Sequence, residues 1–285
     1  MIGIGEGRSG LRWLVLALPC AVLISFFAVP NVLLLSASFM RSEASVLIDE
    51  FTLDNYQDIL SGALFRGAML RTVIVGLGVG ALDVLIAFPL AYFLVRTQSR
   101  WKGLLIALSL APLLASVIVR TYGWYVILNR SGAINQTLQG LGMIDQPLAL
   151  MPSTGAIIIG LAHALLPYAV LTLMTALSAI SPNLELAAMT LGASRWRTFV
   201  HVVLPLSLPG LIGGFVLCFS IAISAYATPA ILGGPATQTV ATLIYTFMMN
   251  LLDWAVGSAL AAVLIAASLL LLYLASKLGS QRTAL

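Results

Sequence analysis

Charged side chains are missing from this chain over stretches long enough to cross a lipid bilayer. None occurs in residues 13–38, 146–184, 198–252 or 254–276, while 72–95 holds only Asp83 and 103–129 only Arg120. The hydrocarbon layer is about 30 Å thick and a helix rises about 1.5 Å per residue, so roughly 20 apolar residues make a span. Six helices are predicted, near 13–38, 70–95, 103–127, 154–178, 208–229 and 254–276. The fold class is an all-α integral membrane protein, with residues 1–285 forming one transmembrane domain. Segment 232–239, Leu-Gly-Gly-Pro-Ala-Thr-Gln-Thr, breaks any helix, so a re-entrant piece has room between spans five and six. The first run is too long for a signal-peptide core and is expected to stay as an uncleaved helix.

Composition agrees. Charged residues make up 8% of the 285 and mean hydropathy is +1.05, against about 25% charged residues in soluble domains. That excludes a soluble, disordered or nucleic-acid-binding protein. Cys20 and Cys218 sit in apolar runs and read as small hydrophobes without metal-ligand spacing. The glycine-rich stretch 3–10 follows no strand and reads as a flexible tail, not a phosphate loop.

An even number of spans puts both termini on one side. With the N-terminus inside, inner segments hold Arg8, Arg12, Arg96, Arg100, Lys102, Arg195, Arg197, Lys277 and Arg282, and outer ones only Arg41, Arg66, Arg71 and Arg130. Cations collect on the cytoplasmic side, so both termini are expected there. Trp13, Trp101, Trp124 and Trp254 fall near span ends, where an amphipathic ring is favoured.

The inner loop 179–207 is the most informative segment. Ser181 and Pro182 make an N-cap and a first-turn proline. Leu184, Ala187, Ala188 and Leu191 fall at i, i+3, i+4 and i+7, giving a short helix with an apolar face, and Gly192 is placed to end it. A second short helix is expected from Ser194 to Leu204 and Pro205. A short helix with an apolar stripe cannot bury itself and calls for a groove.

Ala187 and Ala188, three residues, Gly192, nine residues and Val202-Val203-Leu204-Pro205 resemble the Glu-Ala-Ala loop of ABC-importer permease subunits. There the pattern is Glu-Ala-Ala, Gly, then Ile-x-Leu-Pro. The motif's glutamate position is Leu186 here, and a glutamate stands one place earlier, at Glu185. The resemblance implies that this loop is a coupling helix between spans four and five. It would seat in a cleft of a cytoplasmic ATPase through Glu185, Leu186, Ala187, Ala188, Leu191, Gly192, Ala193, Arg195, Leu204 and Pro205. Glu185 has two readings, an ATPase contact or a carboxylate favoured by the helix dipole in the first turn. Residues 51–56 (Phe-Thr-Leu-Asp-Asn-Tyr), 120–124 (Arg-Thr-Tyr-Gly-Trp) and 227–235 (Ala-Thr-Pro-Ala-Ile-Leu-Gly-Gly-Pro) are similar to stretches of the spermidine/putrescine branch. The resemblance further implies a type I importer fold in the bacterial cytoplasmic (inner) membrane. Its partners would be a second homologous permease, two cytoplasmic ATPase subunits, an external solute-binding protein and membrane lipid, with no nucleic acid. This chain would bind no cofactor, ATP and Mg belonging to the ATPase.

Polar residues inside the spans are candidates for the translocation path: Asp83, Arg120, Tyr122, Trp124 and Tyr226. A mid-span carboxylate is costly and must face protein or water. Asp83 therefore reads as a cation contact, a structural hydrogen bond or a protonated acid, and Gly76, Gly78 and Gly80 beside it point to close helix packing. Arg120 reads as snorkelling to the outer interface or lining a gate. Tyr122, Trp124 and Tyr125 read as an aromatic belt or as a cage for an ammonium group. His163 reads as a packing histidine and His201 as ordinary surface.

The expected function is the permease subunit of an ATP-driven importer for a small solute, a polyamine or related amine, working by alternating access and performing no catalysis itself. An ion-coupled secondary transporter is the alternative, but it would favour several intramembrane carboxylates and repeated broken helices. An intramembrane enzyme would need a nucleophile or metal motif, and no such motif occurs in the sequence.

Overall fold

A computed structural model describes residues 17–43 and 46–280. The glycine-rich tail, Arg8, Arg12, Trp13, Arg282 and the first residues of the first predicted span lie outside the described residues. The chain forms two compact units, one of residues up to 61 with 244–263, the other of 62–243 with residues from 264 onward.

In the first unit, α1 (Ala17–Ala37) is long and apolar enough to span a membrane and has no residue buried inside the protein. Its turn at Ile24–Ala28 widens to π geometry just before Pro30, where a missing N–H cannot continue the ordinary ladder. The polar segment that follows is folded. Strands β1 (Met40–Glu43) and β2 (Val46–Phe51) pair antiparallel, with Arg41 opposite Ile48, and α2 (Asp54–Ser61) follows them. Asn55 Nδ2 donates to the carbonyls of Ser38 at 3.0 Å and Met40 at 2.9 Å, and Phe39 stacks on Phe51 at 5.5 Å. This hairpin is the only sheet among the described residues, which are otherwise helical as expected. Its strands are short and mostly exposed, so no apolar alternation announces them.

The second unit opens with α3 (Ala63–Arg96), which starts at 63 rather than the predicted 70. The third predicted span, 103–127, is broken. α4 (Lys102–Leu114) and the following α5 (Val117–Leu128) and α6 (Ala133–Gly140) meet at a 97° bend. Ala115 and Ser116 are extended at the break, with ψ of 140° and 136°. α7 (Thr154–Ser178) occupies the predicted 154–178. α8 (Pro182–Thr190) is the short loop helix, and α9 (Arg195–Ser224) follows. The second loop helix was expected to end at Leu204 and Pro205, but it continues into the fifth span. A π turn at Phe199–Val203, closed by the Leu204 N–H on Phe199 O, absorbs the donor that Pro205 lacks.

After α9 come α10 (Ala227–Leu232), a tight turn at Pro235–Thr237, α11 (Val240–Asn250) and α12 (Trp254–Ser280). Among the described residues five helices qualify as spans, and the broken pair, taken as one span, makes a sixth, in agreement with the six predicted. The helix-breaking segment at 232–239 is held in place: Thr228 meets Thr121 at 3.1 Å, Arg71 Nη1 donates to Gln238 O at 2.6 Å, and the Val240 N–H donates to Thr72 Oγ1 at 2.9 Å.

The core of this unit lies among α3, α7 and α9. Lipid tails are as apolar as leucine, so spans associate through close packing rather than hydrophobic exclusion. Small residues make that possible. A Cβ on Gly76 would lie 2.6 Å from Ile223 Cγ2, one on Gly80 would lie 3.0 Å from Phe215, and one on Gly210 would collide with Ala176. Val79, Ala87, Ala91, Leu173 and Leu177 fill the seam with no exposed surface.

Candidate functional site

The loop helix α8 is built as its residues suggest. Ser181 Oγ accepts from the Asn183 N–H at 3.3 Å, and Pro182 occupies the first turn. At the other end, Gly192 takes a left-handed φ of +88°. The Gly192 N–H reaches Met189 O at 3.0 Å and the Ala193 N–H reaches Ala188 O at 3.0 Å, a Schellman stop. Ser194 then caps the start of α9 by accepting from the Arg197 N–H at 3.3 Å. Between these caps the apolar face is bare: Leu184 is 48% exposed and Leu191 89%, and Leu186, on another side of the helix, is 57% exposed. Ala187 is exposed as well, while Ala188 and Ala193 are half-buried.

Glu185 does not share that exposure. Its Oε1 accepts from Arg96 Nε at 2.8 Å and lies 2.7 Å from Arg96 Nη2, and its Oε2 accepts from the Tyr92 hydroxyl at 2.8 Å. Arg96 Nη2 also donates to Ile180 O at 3.1 Å. The Arg96 and Glu185 side chains are 20% and 13% exposed. Neither sequence reading of Glu185 included this pairing. Tyr92 and Arg96 were not among the candidates, because they lie 93 and 89 residues away in the sequence. The only available signal was an arginine at the end of a span with a tyrosine one turn before it.

An aromatic ladder continues the joint. The Phe199 ring, in the π turn, meets Phe88 at 5.6 Å and Tyr92 edge-on at 5.5 Å, and Trp196 stacks on it at 5.7 Å. Tyr92, Trp196 and Phe199, with Glu185, Met189 and Arg195, border an open cavity of about 670 Å³. Leu204 and Pro205 lie just beyond, where α9 leaves its π turn.

The path candidates are dispersed. Asp83 is fully buried in the three-helix core, and neither carboxyl oxygen has a hydrogen-bond partner. Cys218 is buried in the same core, and its Sγ lies 3.7 Å from Leu165 O. Arg120 donates to Pro112 O. It thus satisfies a carbonyl that the broken span leaves open at the C-terminal end of α4, where a cation is also favoured by the dipole. That role differs from both sequence readings of Arg120. Trp124 Nε1 donates to His163 Nδ1 at 3.2 Å with the two rings edge-on. Tyr122 is 54% exposed and lies 6.2 Å from Tyr125, and Tyr226 is 38% exposed. Tyr125 also borders a cavity of about 390 Å³ with Asn129, Arg130 and the Gly233-Gly234-Pro235 turn. His201 caps its own helix turn, with Nδ1 3.0 Å from Arg197 O. Among the described residues no group of three His, Cys, Asp or Glu is placed to hold a metal ion.

Comparison with known proteins places this geometry. Residues 148–283, which include the whole loop, match the family described as binding-protein-dependent transport system inner membrane component. The spermidine/putrescine transport system permease protein PotB of Escherichia coli K12 is 32% identical over 238 residues, 83% of this chain and 86% of that protein. The PotB of Haemophilus influenzae is 29% identical over 267 residues, 92% and 93% of the two chains. Among solved structures, a chain of a bacterial ABC transporter that imports the acidic polysaccharide alginate superposes with a TM-score of 0.78 at 17% identity, covering 96% of each chain. A chain of the MetNI methionine ABC transporter in an inward-facing conformation superposes with a TM-score of 0.60 at 16% identity, covering 77% of this chain and 95% of that one.

Proposed function

Because the chain belongs to the binding-protein-dependent transport system inner membrane components, we propose that it carries a polyamine or related amine and docks on its ATPase through α8. It is the membrane-spanning permease subunit of an ABC importer, a multi-pass inner-membrane protein and not an enzyme, and ATP is hydrolysed on a separate subunit. Its partners are of two further kinds, an external binding protein and ATPase subunits.

The finer assembly is one homologous permease beside this chain and two ATPase subunits below, which hold ATP and Mg. Both termini face the cytoplasm. The observation that carries the docking assignment is the bare face of α8: Leu184, Ala187 and Leu191, at i, i+3 and i+7, are exposed on a helix capped at both ends, and an apolar face of that kind calls for a groove. Leu186 stands where the family's loop has a glutamate, so docking at that position relies on apolar contact.

The cycle follows from differential binding. The loaded binding protein docks outside, ATP closes the ATPase pair, and α8 carries that movement into the spans so that the pathway opens outward. Hydrolysis returns it to the inward-facing state. A change of this kind is driven only as far as the ligands prefer one state over the other. Tyr122, Trp124, Tyr226 and Arg120 are the candidate path residues outside the three-helix core, and exposed aromatic faces suit an ammonium cargo.

The test begins with the external binding protein. A ligand at about 1,000 times its Kd stabilises a protein by about 4 kcal/mol, so spermidine or putrescine at millimolar concentration should raise its melting temperature clearly. The assembled importer in proteoliposomes should then take up the same amine with ATP inside, at a rate unaffected by a protonophore. A melting temperature moved by another solute class and by neither amine would overturn the cargo assignment.

A further inference from the structure

We infer that Glu185, Arg96 and Tyr92 form a fixed joint that passes movement of α8 to α3, making Tyr92 and Arg96 positioning residues for ATP-coupled transport. The inference rests on the proposed seating of α8 on the ATPase. It concerns what happens after that contact is made.

Chain connectivity explains why a joint is needed. Through short connections, α8 is linked to α7 before it and to α9 after it. The core of this unit has a third wall, α3, which joins the loop only through side chains. A push received by α8 reaches α7 and α9 directly through the chain, whereas α3 receives it only through packing in the core and through side chains that tie its end to the loop. The Arg96 guanidinium grips Glu185 in the first turn of α8 and the Ile180 carbonyl at the end of α7 together. The Tyr92 hydroxyl takes the second oxygen of the same carboxylate. Phe199 adds α9, with its ring against Phe88 and Tyr92. All four elements therefore meet within two turns of the end of α3.

The joint is also chemically closed. An ionised carboxylate offers about four acceptor positions; Arg96 Nε and the Tyr92 hydroxyl each donate to one oxygen of Glu185, and Arg96 Nη2 adds an ion-pair contact. Charge-assisted bonds of this kind are short and strong. Because the pair is mostly buried, removing one partner strands the other charge in a poor solvent. Glu185 is thus committed within the chain, and Leu184, Leu186 and Leu191 remain for the ATPase.

The experiment uses the complete importer in proteoliposomes with Tyr92→Phe, Arg96→Met, Glu185→Gln and the exchanged pair Arg96→Glu with Glu185→Arg. Two quantities are read: the ATPase retained on purification, and the ATP hydrolysed per solute imported. Each single change should leave the ATPase bound and raise ATP used per solute, by about tenfold for the two charge changes, the ordinary scale of coupling between sites. The exchanged pair should recover much of the loss. Tyr92→Phe removes only a hydroxyl, so it reads the joint even where Arg96→Met fails to assemble. Wild-type stoichiometry in the single variants would overturn the inference, and so would loss of the ATPase from Glu185→Gln, which would make Glu185 a docking contact. Leu191→Asp tests the seating of α8 separately: it should release the ATPase, and an unchanged complex would remove the docking reading on which the joint depends.

Discussion

Asp83 and Arg120 show how differently two intramembrane charges can be handled. Arg120 donates to an open carbonyl of the broken span, so its charge completes a helix end. Asp83 has no exposed surface, and both its oxygens lack a partner. Leaving a buried polar group unsatisfied costs about 1–3 kcal/mol, while an apolar side chain of similar size would pack against the same walls. Asp83→Val is therefore expected to stabilise the purified protein by about 1–3 kcal/mol, read as a rise in melting temperature, with amine uptake retained. A drop in amine uptake shared by Asp83→Val and Asp83→Asn, without a change in melting temperature, would return Asp83 to the translocation path.

At the scale of the element, the turn between α8 and α9 rests on one backbone conformation. Gly192 holds φ at +88°, and a Cβ added there would meet nothing within 4 Å, so substitution probes the backbone without steric side effects. Gly192→Ala should cost about 1–2 kcal/mol for a left-handed alanine and weaken ATPase retention partially. Gly192→Pro cannot adopt the conformation at all and should abolish it. Equal retention by wild type and Gly192→Pro would separate this turn from docking. The conformation was legible in the sequence because caps are local: Ser181, Pro182 and Gly192 announce a helix by chemistry that acts within one turn. The bounds of α7 were legible for a related reason, since Ser153 caps it, accepting from the Ala156 N–H at 3.0 Å, and an uninterrupted apolar run follows. The 97° break after Leu114 was not, because Pro112 sits in a run whose hydropathy never falters, and the arginine that stabilises the break lies on its far side. The Glu185 joint was not legible either. It depends on which span ends meet in space, and nothing within a turn of Glu185 names Arg96.

At the scale of the molecule, the joint bears on orientation. Arg96 on Ile180 O and Glu185 puts the end of α3, the end of α7 and the start of α8 at one end of the second unit. Arg71 on Gln238 O and Thr72 on the Val240 N–H tie the start of α3 to the segment after α10. From Arg71 to Arg96 along α3 is about 37 Å at 1.5 Å per residue, so these two sets of contacts stand about the thickness of the hydrocarbon layer apart. The first end carries Arg96, Arg100, Lys102, Arg195 and Arg197, the excess that faces the cytoplasm in membrane proteins. Single-cysteine labelling can test this in whole cells. Cys218 is buried and silent, so a Cys20→Ser background suffices. Asp49→Cys and Asp145→Cys, at exposed positions on the expected outer side, should react with a membrane-impermeant maleimide in intact cells. Gln98→Cys, exposed beside Arg96, should react only after the membrane is opened. The reverse pattern would invert the chain, put α8 outside and detach it from any cytoplasmic ATPase. The orientation expected from five cations at one end is therefore a condition for coupling as well as for insertion.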